Sequence, residues 1–392
     1  MEFQTGSHSM VGKKDPVLGR QRIRSHNATL PFDILGLIFH YVANGYPVRL
    51  RNLFFVCRSW YDAVSLHPTL WATIRLDRAL VEIFASNGAL PKLFIKLYIH
   101  SCLRWSGTAS LDVSVDLNPY QLTSFTTQSD LMETWSYLFL LVMDLIGLDG
   151  EHAMRWRSFT WRCHRAEYAS RVFSKLPLSL PVLEVLRLRG VRLDVSHIGM
   201  FPRCPRLRTV ELHQYAVQPL KDEDCLLVSD LFITTELVWL SLDLIVLSHF
   251  PNIRHLTLST TLEGQALFIP EPDDPPPNEV LLPHLQCLRL RGSLPIQVVG
   301  CLVAPVLKEL ELDCSTSLEL LGDISLARTV ETVRIAGPNI DPNLNPTHVS
   351  RRVEKLLDAT PALKQLCAPK WFHDWLENSD IHLGESVIVV IE

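Results

Sequence analysis

The chain is 392 residues long, enough for two or three ordinary domains of roughly 150 residues, or for one small domain followed by a long repetitive one. Its 47% hydrophobic, 20% charged and 8% aromatic residues exclude a disordered or collagenous chain, and 25 prolines against 17 glycines make it rich in proline. A formal charge of -5, from 37 Lys plus Arg against 42 Asp plus Glu, leaves no global basic field, so no nucleic-acid partner is expected.

Residues 1–28 mix Gly, Ser, Lys and Arg without apolar periodicity, and Lys13, Lys14, Arg20, Arg22 and Arg24 mark a flexible basic tail. The opening Met1-Glu2-Phe3-Gln4 lacks the basic and apolar blocks of a secretory signal. Order is predicted to start at Leu30-Pro31-Phe32-Asp33. Pro31 suits a first helical position, where its missing N–H costs nothing, and Asp33 complements the positive end of the helix dipole. Ile34, Leu35, Ile38, Phe39 and Val42 then recur at helical spacing until Gly45 and Pro47 stop the helix.

A second helix is predicted from Arg49 to about Ser65, with Leu50, Leu53, Phe54, Cys57, Tyr61 and Val64 as its stripe. Phe55, Val56 and Trp60 widen that stripe beyond one core face, so something else must cover the surplus. His67-Pro68 breaks the helix, and Leu70, Trp71 and Ile74 form a third short apolar segment.

In order, Leu30-Pro31-x-Asp33-Ile34-Leu35, Ile38-Phe39, Val56-Cys57-Arg58-Ser59-Trp60 and Leu70-Trp71 resemble the F-box over residues 29–76. The resemblance implies a small all-α three-helix module that docks on a Skp-type adaptor and, through it, on a cullin. It also implies an adaptor-facing set of Leu30, Pro31, Ile34, Leu35, Ile38, Val56, Cys57 and Trp60. A helix-in-groove interface would account for an apolar surplus that so short a module cannot bury alone.

Residues 77–180 form a connecting region. Phe94-Leu97-Ile99 and Trp156-Phe159-Trp161 fit either that region or degenerate first repeats, and Leu131 to Leu148 reads as an apolar helix with Asp144 facing solvent or a polar partner. At about half the roughly 20 residues that span a bilayer, the apolar run Tyr137 to Leu148 points to no membrane partner.

Over 181–370 the pattern P-x-L-x-x-L-x-L recurs at Pro181-Leu183-Leu186-Leu188, Pro205-Leu207-Val210-Leu212, Pro251-Ile253-Leu256-Leu258, Pro283-Leu285-Leu288-Leu290 and Pro305-Leu307-Leu310-Leu312. Looser copies are Leu237-Leu240-Leu242, Val330-Val333-Ile335 and Pro361-Leu363-Leu366-Ala368. First-position spacings of 24, 30, 16, 32, 22, 23 and 33 residues centre on the period of leucine-rich repeats, roughly 20–29. The fold class predicted is therefore α/β, a helical F-box followed by an irregular leucine-rich-repeat solenoid. The aromatic run Trp371-Phe372-His373-Asp374-Trp375 opens a carboxyl-terminal cap over 371–392.

If positions one, four and six of each copy point inward, positions five and seven form the concave face. That gives Arg187, Arg189, Glu211, His213, Arg289, Arg291, Glu311 and Asp313 as candidate substrate contacts, a mosaic of both signs suited to a protein with patterned charge. The segment 270–279, Pro-Glu-Pro-Asp-Asp-Pro-Pro-Pro-Asn-Glu, reads as an acidic extended insertion.

No nucleotide-binding glycine loop, G-x-S-x-G elbow or H-E-x-x-H occurs, so no enzyme, cofactor or metal is expected. Nine cysteines are scattered singly, which fits a reducing compartment, cytoplasmic or nuclear. The whole resembles fungal-type F-box/leucine-rich-repeat receptors. That resemblance implies a substrate-recognition subunit of a Skp-cullin-F-box ubiquitin ligase that directs a protein to ubiquitin-dependent degradation. The alternative is a binding scaffold that uses the F-box-like segment with the adaptor alone.

Overall fold

The computed structural model describes residues 30–85, 91–116, 137, 139–163, 171–190, 202–213, 225–235, 246–260, 279–292, 301–313, 328–336, 346–377, 381, 383 and 387–391. The basic tail, the copy Leu237-Leu240-Leu242 and nearly all of the acidic insertion lie outside these residues.

The chain opens with helix α1 (Phe32–Ala43), whose Asp33 lies in the first turn. Asn44 and Gly45 then both take positive φ, 42° and 75°, which ends the helix and turns the chain into Pro47. The second predicted helix is split. Pro47–Phe55 is a 3-10 helix, Cys57 is extended at φ -164°, and α2 runs Arg58–Leu66. Leu50, Ala63 and Val64 are buried against Leu35, Phe39 and Ala43 of α1.

A short 3-10 turn, Pro68–Trp71, leads directly into strand β1 (Thr73–Leu76). The Trp71 indole donates to the Val64 carbonyl at 2.8 Å. Its ring lies 5.2 Å from Trp105 at the end of helix α4 (Pro91–Trp105), which follows α3 (Arg78–Ala85). Through this aromatic contact the helical segment and the first strands share one continuous core. Phe94-Leu97-Ile99 therefore belongs to a helix, not to a repeat strand.

The remaining strands are β2 (Leu111–Asp116), β3 (Trp156–Cys163), β4 (Val185–Gly190), β5 (Thr209–His213), β6 (Asp230–Thr235), β7 (His255–Thr260), β8 (Val280–Leu281), β9 (Cys287–Arg291), β10 (Leu302–Val303), β11 (Glu309–Asp313) and β12 (Thr332–Ala336). Helix α5 (Pro346–Ala359), strand β13 (Gln365–Ala368), helix α6 (Lys370–Glu377) and strand β14 (Ile388–Ile391) complete the chain. The fold is mixed α/β, and twelve of these strands form one parallel sheet in chain order, β8 and β10 pairing apart from it. A parallel sheet whose order follows the sequence means the chain coils, adding one strand per turn.

The sheet begins at Thr73 rather than near residue 181, and Trp156-Phe159-Trp161 is its third strand. It also runs past 371. The aromatic helix α6 connects β13 to β14, and β14 forms the sheet edge with Ile388 and Ile391 exposed.

Register explains the leucine pattern. Position four forms one buried row, Leu186–Val210–Leu231–Leu256–Leu288–Leu310–Val333, and position six a second, Leu188–Leu212–Ile233–Leu258–Leu290–Leu312–Ile335. Each turn alone leaves these side chains bare, so stacking creates the core. The prolines lie in tight turns: Leu183 N–H donates to Leu180 O at 3.2 Å, Leu285 to Leu282 at 3.2 Å and Leu307 to Ala304 at 3.3 Å, with proline at the second turn position.

The turn between Leu207 and Ile253 differs from expectation. Its strand is β6, and Val228, Leu231 and Ile233 occupy the inward places. Val228 N–H donates to Cys225 O at 3.2 Å, the same turn without a proline, and Ser229 and Asp230 both donate to Arg208 O as Arg208 and Thr209 do to Glu184 O. With Val228 in first place the neighbouring spacings become 21 and 25 residues instead of 30 and 16.

Asp144 lies 3.9 Å from Lys96 and 3.7 Å from His100, a polar setting beside the apolar run. No helix among the described residues is long and apolar enough to cross a membrane.

Candidate protein-binding surfaces

Helix α1 is apolar over most of its circumference, with only Asp33 and His40 forming a polar strip, and its apolar sides meet different fates. Leu35, Gly36, Phe39 and Ala43, at i, i+1, i+4 and i+8, turn into the core. Ile34, Leu37, Ile38, Tyr41 and Val42 on the other side are exposed, Tyr41 at 87%. An apolar helix side of this extent is normally covered, and here it is bare.

Of the eight residues that the F-box resemblance implies, Leu30, Pro31, Ile34, Ile38, Val56 and Cys57 are exposed. Leu35 is not: at 2% exposure it is a core residue, because it shares the inward stripe with Phe39. Trp60 is half-buried and packs edge-on against Phe39 at 5.3 Å; its Nε1 finds no partner among the described residues. Phe55, 82% exposed, joins the bare set at the end of the 3-10 helix.

Two contacts hold α1 in this attitude. The Phe32 ring stacks on His67 at 4.4 Å, and the imidazole lies so close to Gly36 that a Cβ there would be 2.9 Å from Nε2. Gly36 is thus the residue that lets the end of α2 close on α1.

On the outward sheet face, the candidate charges on neighbouring strands face one another. Arg187 stands opposite Glu211, and Arg289 opposite Glu311. Glu211 pairs with Arg187 Nε at 3.0 Å, with Arg189 and with His213 Nε2 at 3.0 Å. Glu311 pairs with Arg289 Nε at 2.8 Å and Arg291 at 3.1 Å. Arg289 Nε makes no aligned hydrogen bond despite this short distance, so its contact is an ion pair.

In each group the carboxylate lies low, 15% exposed at Glu211 and 13% at Glu311, while the four arginines stay 40% to 54% exposed. Burial pushes the Glu211 carboxyl up, but hydrogen bonds from His213 and Arg189 and their charges outweigh it and hold it at about 2. The predicted mosaic is therefore two clusters of two arginines on one glutamate. Asp313 follows Glu311 on β11, level with Ala336.

Between the clusters lie two strands, and on the first of them, β6, the sequence pattern misplaced the outward positions. Phe232 and Thr234 of β6, and Thr257 and Ser259 of β7, separate Glu211 and His213 from Arg289 and Arg291. A third outward row, nearer the strand starts, places Asp230, His255, Cys287 and Glu309 side by side. His255 Nδ1 is 2.6 Å from Asp230 Oδ1, and burial pushes the Cys287 thiol up, away from thiolate chemistry. Only the cross-strand register reveals this row, since its members are 22 to 32 residues apart.

On α6, one ligand atom each of His373, Asp374 and Glu377 lies within 4.8 Å of the others, a surface trio that sequence reading did not single out as a metal centre. Seven of the described cysteines are free thiols, Cys57 exposed and the other six buried. No known protein family and no curated protein matches this chain.

Proposed function

We propose that this protein is a substrate receptor of a Skp-cullin-F-box ubiquitin ligase, with a leucine-rich-repeat domain as its substrate-binding part. The observation that carries the reading is the bare outer side of α1. Ile34 and Ile38 are exposed on a helix anchored from its other side by Leu35 and Phe39, and Leu30 and Pro31 are exposed just before it. Such an arrangement spends no folding energy on the outer residues and leaves them for a partner's groove.

The coil of parallel strands supports the second half of the reading. It offers a broad outward face whose residues sit on rigid ladders, and its leucine rows leave those residues free to vary without loss of core. In this function the chain makes and breaks no bond; it holds a substrate protein near the ligase, and its contribution is proximity.

The test is co-expression with a tagged Skp-type adaptor and a cullin, followed by purification through the adaptor. Recovery of this chain with both is expected, and its loss in the double variant Leu30→Ala, Pro31→Ala. Recovery with the adaptor but without cullin would replace the ligase role by an adaptor-bound scaffold. No recovery with either overturns the proposal.

A further inference from the structure

Four outward arginines on two strands share only two carboxylates. Arg187 and Arg189 close on Glu211, and Arg289 and Arg291 on Glu311, two guanidinium groups to each carboxylate. The glutamates sit low on the sheet and hold the guanidinium groups in place, with 40% to 54% of each arginine side chain open to solvent. A held guanidinium loses less side-chain entropy on binding than a free one.

The clusters are also spaced. From β4 to β9 the sheet order passes through β5, β6 and β7, four strand steps, or about 19 Å at about 4.8 Å per step. Of these, β5 carries Glu211 and His213, while β6 and β7 present no charge at positions five and seven, only Phe232, Thr234, Thr257 and Ser259. Asp230 and Glu309 lie in the row nearer the strand starts, and the four arginines lie in the other two rows, with Glu211, Glu311 and Asp313.

We infer that this face binds an extended acidic segment of a partner protein, laid across the strands, with two acidic groups about six residues apart seated on the two arginine pairs. The spacing follows from about 3.3 Å per extended residue over about 19 Å. An uncharged stretch between the acids would cross Phe232 and the hydroxyl-bearing Thr234 and Ser259, with Thr257 buried beneath it. The inference names the substrate class within the receptor reading and rests on that reading only for its biological use.

The test uses the full chain and fluorescence anisotropy with two labelled synthetic peptides of one composition. In one, two Glu-Glu pairs start about six residues apart; in the other they are adjacent. The spaced peptide is expected to bind about tenfold tighter, to lose about tenfold in affinity in the variant Arg189→Gln, Arg291→Gln, and to weaken as salt rises from about 0.05 to 0.5 M. Equal affinity for the two peptides, equal affinity in the arginine variant, or no binding by the parent overturns the inference.

If the parent fails but the variant Glu271→Gln, Asp273→Asn, Asp274→Asn binds the spaced peptide, the occupant of the face is this chain's own acidic segment, and the inference is again overturned. Adaptor recovery is measured on the same samples. Its failure sinks the receptor reading without touching the peptide result, and the reverse also holds.

Discussion

Arg289 and Glu311 stand level on neighbouring parallel strands and approach to 2.8 Å, although 22 residues separate them in the chain. Arg187 and Glu211 repeat the relation at 3.0 Å four turns of coil nearer the amino terminus, on β4 and β5. Charges that look like an unordered mosaic along the sequence are thus largely each other's partners. Arg157 with Asp112 at 2.5 Å and Arg162 with Asp116 at 3.3 Å extend the same habit to β2 and β3.

Because Glu211 is held at about 2, its partners stabilise the fold in one pH window. An ordinary glutamate in the unfolded chain titrates near 4.5. The stabilisation is therefore complete above about 4.5 and is lost as pH falls toward about 2. Denaturant midpoints of the parent and of Glu211→Gln should differ most at neutral pH and converge under acid conditions. A gap that stays constant with pH would show that the carboxylate's charge is not what matters.

The two faces of α1 predict opposite phenotypes. Leu35→Ala removes core volume and should cost about 2–5 kcal/mol of stability, visible as a lower denaturant midpoint. Ile34→Asp and Ile38→Asp lie on the bare side and should leave the midpoint within about 0.5 kcal/mol while abolishing adaptor recovery. Unfolding of the Asp variants would mean that the outer side of α1 is covered within the chain.

Leu288→Asp and Leu231→Asp each place an unpaired carboxylate in the buried row between two neighbouring turns. Several kcal/mol of desolvation with no partner should abolish the cooperative transition seen by circular dichroism. The Leu231 variant also tests the strand register at β6: a melt like the parent's would return that place in the row to another segment.

The outward residue Phe232, between the clusters, should behave differently from its neighbour Leu231. Phe232→Ala is expected to change stability by under about 1 kcal/mol and to reduce partner capture, read as recovery of co-purifying proteins at equal amounts of bound adaptor. Unchanged capture would place recognition away from the middle of the face.

Much of the fold was legible without coordinates because its signals are local. Inward leucines at positions one, four and six follow from strand alternation alone, and they fall in continuous buried rows from β4 to β12. The apolar excess around α1 and at Phe55 and Val56 was also plain, since too many large side chains crowd a short segment.

Legibility failed where the repeat lost its proline. Val228-x-x-Leu231-x-Ile233 matches the pattern less well than Leu237-Leu240-Leu242, yet its turn lengths are the regular ones, and Cys225 echoes the buried Cys204 one turn earlier. Turn length was the better guide there, because a parallel coil must return to the same height on every turn. The aromatic third strand, Trp156-Phe159-Trp161, was left open between repeat and connector for the same reason: ring size hides a pattern defined by leucines.

Residue order alone shows which positions are apolar and at what period, and hence that strands must stack and that α1 has more apolar surface than one core can take. That Leu35 turns inward while Ile38 stays out depends on where Phe39 and the packed α2 lie, which packing in three dimensions sets. The same packing decides that Arg187, Arg189 and Glu211 form one cluster and Arg289, Arg291 and Glu311 another. Each cluster depends on two strands coming level across a turn of coil, and a one-residue slip would carry every one of these charges to the opposite face.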